Sequence, residues 1–422
     1  MNIQSPSADV GRYRWRLPVV LCVTVLVAYL DRSNITLALP LIAEEFGWND
    51  EELQQWGSLL FSMFYAGYGL SGLLLSPFAS RLGPRKGIAI ILVLASLFTA
   101  MGAFFSQFLL LFAASRVLLG VAEGPHFPLS GMSLKHWFPL GERARANSIL
   151  FAGIYLAIIS GPILLVPLMH SFGWRTAFLL LAAFGLLVSV PLVLRFVYDS
   201  PSDAPDIGDA ERRWLEGELH EESGESGGET LYPLYLLRNR DFLVLLVASV
   251  LNNVVTIGLT SWLPTLFTVG RGVAYENLAW VASLPYVAGL LGLAFWSQLG
   301  DRFNARGLVA AIGYLMLAAS LYTALSSESF ALSLAAMALA VFCASAFSCA
   351  EYAFAQHIIP ARDVAAGIGL FNGLSIITGG LLGPLAASSL LLPGGGWSLW
   401  LLIVLSVLCA VAMTTLGRLR RY

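Results

Sequence analysis

The chain is short of charge. Only 12% of its 422 residues are Asp, Glu, Lys or Arg, about half of what a soluble domain carries. Hydrophobic residues make up 57%, so the class is an all-α membrane protein with many crossings, and a soluble enzyme is excluded. Cysteine is also scarce. Cys22, Cys343, Cys349 and Cys409 all lie in apolar runs, which excludes a disulfide framework and reads as small core residues. The five histidines (126, 136, 170, 220 and 357) lack ligand spacing, so no metal site is expected. No Gly-Lys phosphate loop and no H-E-x-x-H occurs. Gly67-Tyr-Gly-Leu-Ser-Gly72 fits G-x-G-x-x-G but follows no strand; small residues at a helix contact account for it. Gly224-Glu-Ser-Gly-Gly228 fits G-x-S-x-G, yet lies in an acidic linker without a strand–turn–helix frame. Neither an ATP-driven pump, nor a cofactor, nor nucleic-acid binding is expected.

What is abundant is apolar sequence of membrane-spanning length, about 20 residues per stretch. Such windows occupy 17–39, 55–76, 87–106, 108–131, 146–169 and 174–197. They recur at 241–264, 276–298, 307–326, 330–356, 364–391 and 396–417. The expectation is twelve transmembrane helices in two six-helix bundles, 17–197 and 241–417, with tails 1–16 and 418–422. The stretch 198–240 reads as an acidic, solvated linker with one short amphipathic helix around 210–219. Arg12, Arg14 and Arg16 before the first window superficially suggest a signal peptide. The run is too long, holds Asp31-Arg32 and lacks a small-residue cleavage site, so it reads as a retained helix.

Basic residues orient the chain. All but Arg32, Arg116, Arg175 and Arg271 of the 24 Lys and Arg fall on the side of the termini and linker. That side is therefore expected to be cytoplasmic. A weak internal repeat, Ser76 to Lys86 and Ser297 to Arg306, follows the second helix of each six.

Charges inside hydrocarbon are costly and normally face a cavity or a partner. Helix 1 carries Tyr29-Leu-Asp-Arg-Ser-Asn-Ile35, and helix 4 carries Arg116-Val-Leu-Leu-Gly-Val-Ala-Glu-Gly-Pro-His-Phe-Pro128. Arg116 and Glu123 are two turns apart on one face, with Gly120, Gly124, Pro125 and Pro128 around them. Asp31 and Arg116 fall at similar depth. Asp31 and Arg32 point about 100° apart, so one can pair with a neighbouring helix while the other faces a cavity. Which does which is left open by the sequence. Further polar candidates are Tyr65, Tyr68, Asn252, Asn253, Asn372, Glu351 and His126. Of the adjacent asparagines, one is expected to bond another helix. Glu351 reads as a gate or interface acid, and His126 as a packing or hydrogen-bonding histidine rather than a proton relay.

These residues resemble the major facilitator superfamily, and more narrowly its anion:cation symporters. The carrying elements are Tyr29 to Ile35, Arg116 to Pro128, Trp137-Phe-Pro139 with Glu142-Arg-Ala144, Trp262-Leu-Pro-Thr265 and Gly367 to Pro384. The resemblance implies proton-coupled uptake of a small organic anion, such as a sugar acid, across the inner membrane by a protein functional as a monomer. It implies that Arg32 meets the substrate carboxylate, that Asp31 and Glu123 take protons, and that Arg116 pairs with one of those acids. Tyr29, Tyr65, Tyr68, Asn252 and Asn372 complete the expected substrate site. The chain departs from the family loop G-x-L-x-D-R-x-G-R-R: Ser76 and Ser80 replace Gly and Asp, while the second copy keeps Asp301-Arg302. The first loop is thus expected to lack its carboxylate pairing. Gly72 stands where relatives often carry Gln, which is expected to widen the cavity. Alternative functions are a proton-coupled exporter on the same fold, and a membrane receptor or scaffold that moves nothing.

Overall fold

The computed structural model describes residues 11–223, 234–303, 305–359, 364–391 and 396–420. The rest, including 224–228 of the linker, lies outside the described residues, as do the side chains of Asp301, Arg302, Cys349, His220 and His357. The described residues form helices and no β-strand.

The first half holds α1 (Arg16–Phe46), α2 (Asp50–Leu74), α3 (Pro84–Phe104), α4 (Leu109–Glu123), α5 (His126–Trp137), α6 (Leu140–Phe172), α7 (Trp174–Phe184) and α8 (Val190–Phe196). A five-residue π segment, Gly185–Ser189, joins α7 to α8. The linker supplies α9 (Asp209–Ser223). The second half holds α10 (Arg240–Thr265), α11 (Leu278–Phe303), α12 (Arg306–Ser326), α13 (Phe330–Ile358), α14 (Val364–Ala386) and α15 (Gly396–Arg420).

Among the described residues, eleven helical segments are long and apolar enough to cross a membrane. The expected window 108–131 is not among them. It is divided into α4 and α5, of 15 and 12 residues. Pro125 has no N–H to continue the ladder, and Gly124 ends α4 on the Gly120 carbonyl at 3.0 Å. The break also brings backbones together. A Cβ on Gly124 would meet the Gly72 nitrogen and the Tyr68 carbonyl at 2.5 Å each, so only Gly fits. Gly72 itself faces this break: its Cβ would lie 3.2 Å from the Gly124 carbonyl oxygen. The expected widening of the cavity at Gly72 is therefore corrected; the position is a tight helix crossing.

Packing repeats between halves. In the first, α1 packs on α6, α2 on α4, α3 on α4, and α3 on α7. In the second, α10 packs on α14, α11 on α13, α12 on α13, and α12 on α15. The halves meet through α2 on α14, α11 on α6 and α1 on α10. Hydrogen bonds joining them sit toward the ends remote from the chain termini. Tyr275 donates to the Leu37 carbonyl at 2.9 Å, Ser62 to Leu381 at 3.0 Å and Ser283 to Ile159 at 3.0 Å. Trp262 lies buried in the same region, edge-on to Phe61, with its Nε1 on the Pro384 carbonyl. The two basic residues of this remote face are both engaged. Arg175 pairs with Glu45 at 2.7 Å, and Arg271 caps the end of α12 on the Ser327 and Ala324 carbonyls.

The linker carries a helix where one was expected, at Asp209–Ser223, but it is not the solvated connection expected. Residues 198–223 dock on the first half, because Ile207 and Leu215 are apolar and buried there. Glu211, also buried, accepts from the Tyr13 and Arg14 backbone N–H groups and pairs with Arg14 Nη1 at 2.8 Å. The same guanidinium bonds Glu142 of α6 at 2.7 and 2.9 Å. Asp199 supplies a carboxylate to the first loop where Ser80 lacks one. Its Oδ1 accepts from Arg85 N at 2.9 Å, capping α3 beside Gly83, whose φ of 78° suits glycine.

Candidate functional site

Four ionisable side chains lie deep in the first half. Asp31, Arg116 and Glu123 are buried, and Arg32 keeps 13% side-chain exposure. The 100° turn between Asp31 and Arg32 sorts them. Asp31 looks into the first half, toward Thr99 of α3 and Arg116 of α4. Arg32 looks the other way and pairs with Glu123, its Nη2 standing 3.6 Å from Oε2.

Three rings hold the Arg32 guanidinium. Its Cζ lies 4.4 Å from the Tyr29 centroid, 4.4 Å from Tyr68 and 5.0 Å from Phe64. Phe64 and Tyr68, one helical turn apart on α2, stack at 5.9 Å. Tyr29 meets Phe127 edge-on across the helix break. Aromatic faces attract a guanidinium and fix its plane, leaving its N–H edge turned to Glu123. Its Nε has no protein partner. Tyr65 also faces Arg32, with its ring against Gly380 of α14.

Arg116 makes no ion pair within 4.0 Å among the described residues. Nη1 donates to Asn34 Oδ1 at 3.3 Å, and the cation sits over Phe112 and Phe178 at 5.5 and 5.3 Å. Asp31 and Glu123 are the acids that act on it. His126 does not touch Glu123; its Nε2 is 3.1 Å from Thr24 Oγ1. Asn252 points into the second half, where its oxygen accepts from Tyr314 of α12 and its amide donates to Asn253 at 3.3 Å. Asn372 is half-buried on α14, its carbonyl accepting from Ser375. The site therefore gathers Tyr29, Arg32, Tyr65, Tyr68 and Glu123. It sets Asp31 and Arg116 behind them and Asn252 apart.

Sequence reasoning passed over Phe64, Asn34 and Thr99. Phe64 was legible as the residue one turn before Tyr68, and Asn34 as one turn after Asp31. Thr99 carried no signal, because nothing in an apolar helix marks which small polar residue meets a distant acid.

The chain matches the Major Facilitator Superfamily over residues 21–279 and 270–421. It belongs to that family and is an integral membrane protein. Among curated relatives, a probable galactarate/D-glucarate transporter of Bacillus subtilis is 27% identical over 87% of this chain and 84% of its own length. A probable sulfoacetate transporter of Cupriavidus necator is 31% identical over 68% and 65%. A quinolone resistance transporter of Acinetobacter baumannii is 27% identical over 88% and 85%. Of solved structures, a bacterial homologue of the human lysosomal transporter Spinster, inward-facing and unoccupied, superposes with a TM-score of 0.74 at 18% identity. It covers 98% of both chains.

Proposed function

We propose that the protein is a secondary transporter of the inner membrane that imports a small organic anion together with protons by alternating access. The carrying observation is the Arg32 fork, held by Tyr29, Phe64 and Tyr68 and facing Glu123 at 3.6 Å. The fold reads as twelve spans, α4 and α5 together forming the fourth, in two six-helix bundles at 17–197 and 241–417. The 198–240 linker and both tails face the cytoplasm. The contacts at Tyr275, Ser62 and Trp262 then belong to the outer side, which supports a state closed outward.

Arg32, Asp31, Arg116 and Glu123 sum to zero charge. An incoming carboxylate competes with Glu123 for the Arg32 fork and makes the site negative, and burying uncompensated charge is expensive. A proton on Glu123 frees the fork and restores neutrality. Anion and proton binding therefore favour each other, and the coupling is reciprocal. Asp31 holds Arg116 in place and is the second acid able to exchange a proton. Tyr29, Tyr65, Tyr68 and Asn372 line the anion, and Asn252 acts from behind through Asn253. The sugar-acid and sulfoacetate relatives support an anionic substrate.

Purified protein in liposomes with an imposed pH gradient tests this directly. Accumulation of a labelled sugar acid or short-chain sulfonate against its gradient is expected. No flux of any acid would leave a receptor or scaffold. The quinolone resistance relative favours one second reading, proton-driven export, which predicts that the opposite pH gradient drives flux.

A further inference from the structure

The buried charges of the candidate site all lie in the first half. The second half holds one more, Glu351 of α13, only 9% exposed. Its Oε1 accepts from the Ser249 hydroxyl of α10. Around it lies a buried polar cluster drawn from three other helices. Tyr314 of α12 donates to Asn252 of α10, and the Cys409 thiol of α15 rests 3.6 Å from the Ala248 carbonyl. The ionisable groups facing Glu351 are Tyr314 from α12 and Cys409 from α15. From α10 come only the neutral Ser249 and Asn252. Among the described residues, α11 and α14 present no ionisable group, and no Lys, Arg or His stands within 4.0 Å.

A carboxylate buried with one hydroxyl donor and no counter-charge is poorly solvated, whereas the neutral acid is not. The neutral form also brings a donor of its own, which an ionised carboxylate lacks. Position adds to this. α10 and α13 stand in the second half where α1 and the α4–α5 pair stand in the first, and there the His126–Thr24 contact joins the same two elements.

We infer that Glu351 is a further proton-binding site, in the second half, occupied in this conformation and emptying when the acid meets water. The inference rests on the transport reading for its purpose, but its test does not need transport. Infrared difference spectra of purified protein at neutral pH, wild type minus Glu351→Gln, are expected to show the carbonyl band of one protonated carboxyl group. The band is expected to bleach reversibly as pH rises. Superimposable spectra, or a band that persists to the alkaline limit of the fold, would overturn the proposal. Ser249→Ala keeps the acid and removes its donor, so the band is expected to move to higher frequency. An unmoved band would overturn the assigned contact, even if Glu351→Gln failed to fold.

Discussion

Among the described residues, Arg32 and Glu123 form the one buried cross-helix ion pair inside the first-half membrane core, Nη2 to Oε2 at 3.6 Å. They come from α1 and α4, and Gly67 and Gly72 let α2 lie close against α4 beside them. At 3.6 Å the pair is longer than a charge-assisted hydrogen bond, so the guanidinium is held but not saturated.

Arg32→Lys keeps the charge and loses the fork. A bidentate, charge-assisted contact is worth roughly 1.5–3 kcal/mol, so affinity for the anion is expected to fall about 10- to 100-fold. Titration calorimetry with an accepted acid measures it. Wild-type affinity in both Arg32→Lys and Arg32→Ala would move the carboxylate site elsewhere.

Glu123→Gln imitates the protonated acid and frees the Arg32 fork permanently. Proton-driven accumulation is expected to vanish while counterflow of labelled substrate continues. Uphill accumulation at the normal proton ratio would transfer the coupling role to Asp31.

Arg14→Ala leaves Glu211 buried with its charge unmatched and releases Glu142. Removing one partner of a buried pair costs about 3–5 kcal/mol. A clear drop in the melting temperature of detergent-solubilised protein is expected, together with protease access to α9. An unchanged melting curve would show that the Arg14 ion pairs contribute nothing to docking of the linker.

Gly67→Ala places a methyl 3.0 Å from the Val121 nitrogen and closer still to the Val117 carbonyl. Backbone cannot yield as a side chain does, so a loss of about 1–3 kcal/mol is expected. At Gly131 an added Cβ meets nothing within 4 Å, so Gly131→Ala serves as the neutral control. Equal thermal stability of the two variants would contradict the close α2–α4 crossing.

Orientation is tested with single cysteines in a background lacking the native four. At Gly217 of α9 an added Cβ meets nothing, and Glu51 is exposed at the start of α2. In intact cells an impermeant maleimide is expected to label Glu51→Cys and spare Gly217→Cys. The reverse pattern would invert the topology.

The family and the all-helical, membrane-spanning class were legible in sequence because hydropathy runs and charged residues in apolar helices are local, one-dimensional signals. Asp31, Arg32, Arg116 and Glu123 stood out for that reason. Their partners did not, because partnership depends on azimuth around a helix axis and on which helices touch. Only the tertiary structure decided that Arg32 takes Glu123, that Arg116 turns to Asn34, and that Asn252 is bound by Tyr314. The split of the fourth span shows the same limit. Pro125 announced a break, but the tight fit of Gly124 against Gly72 and Tyr68 exists only once α2 lies against α4. The linker shows it from the other side. Its acidic composition reads as solvated, yet Glu211 is buried because Arg14, 197 residues earlier, folds back to meet it.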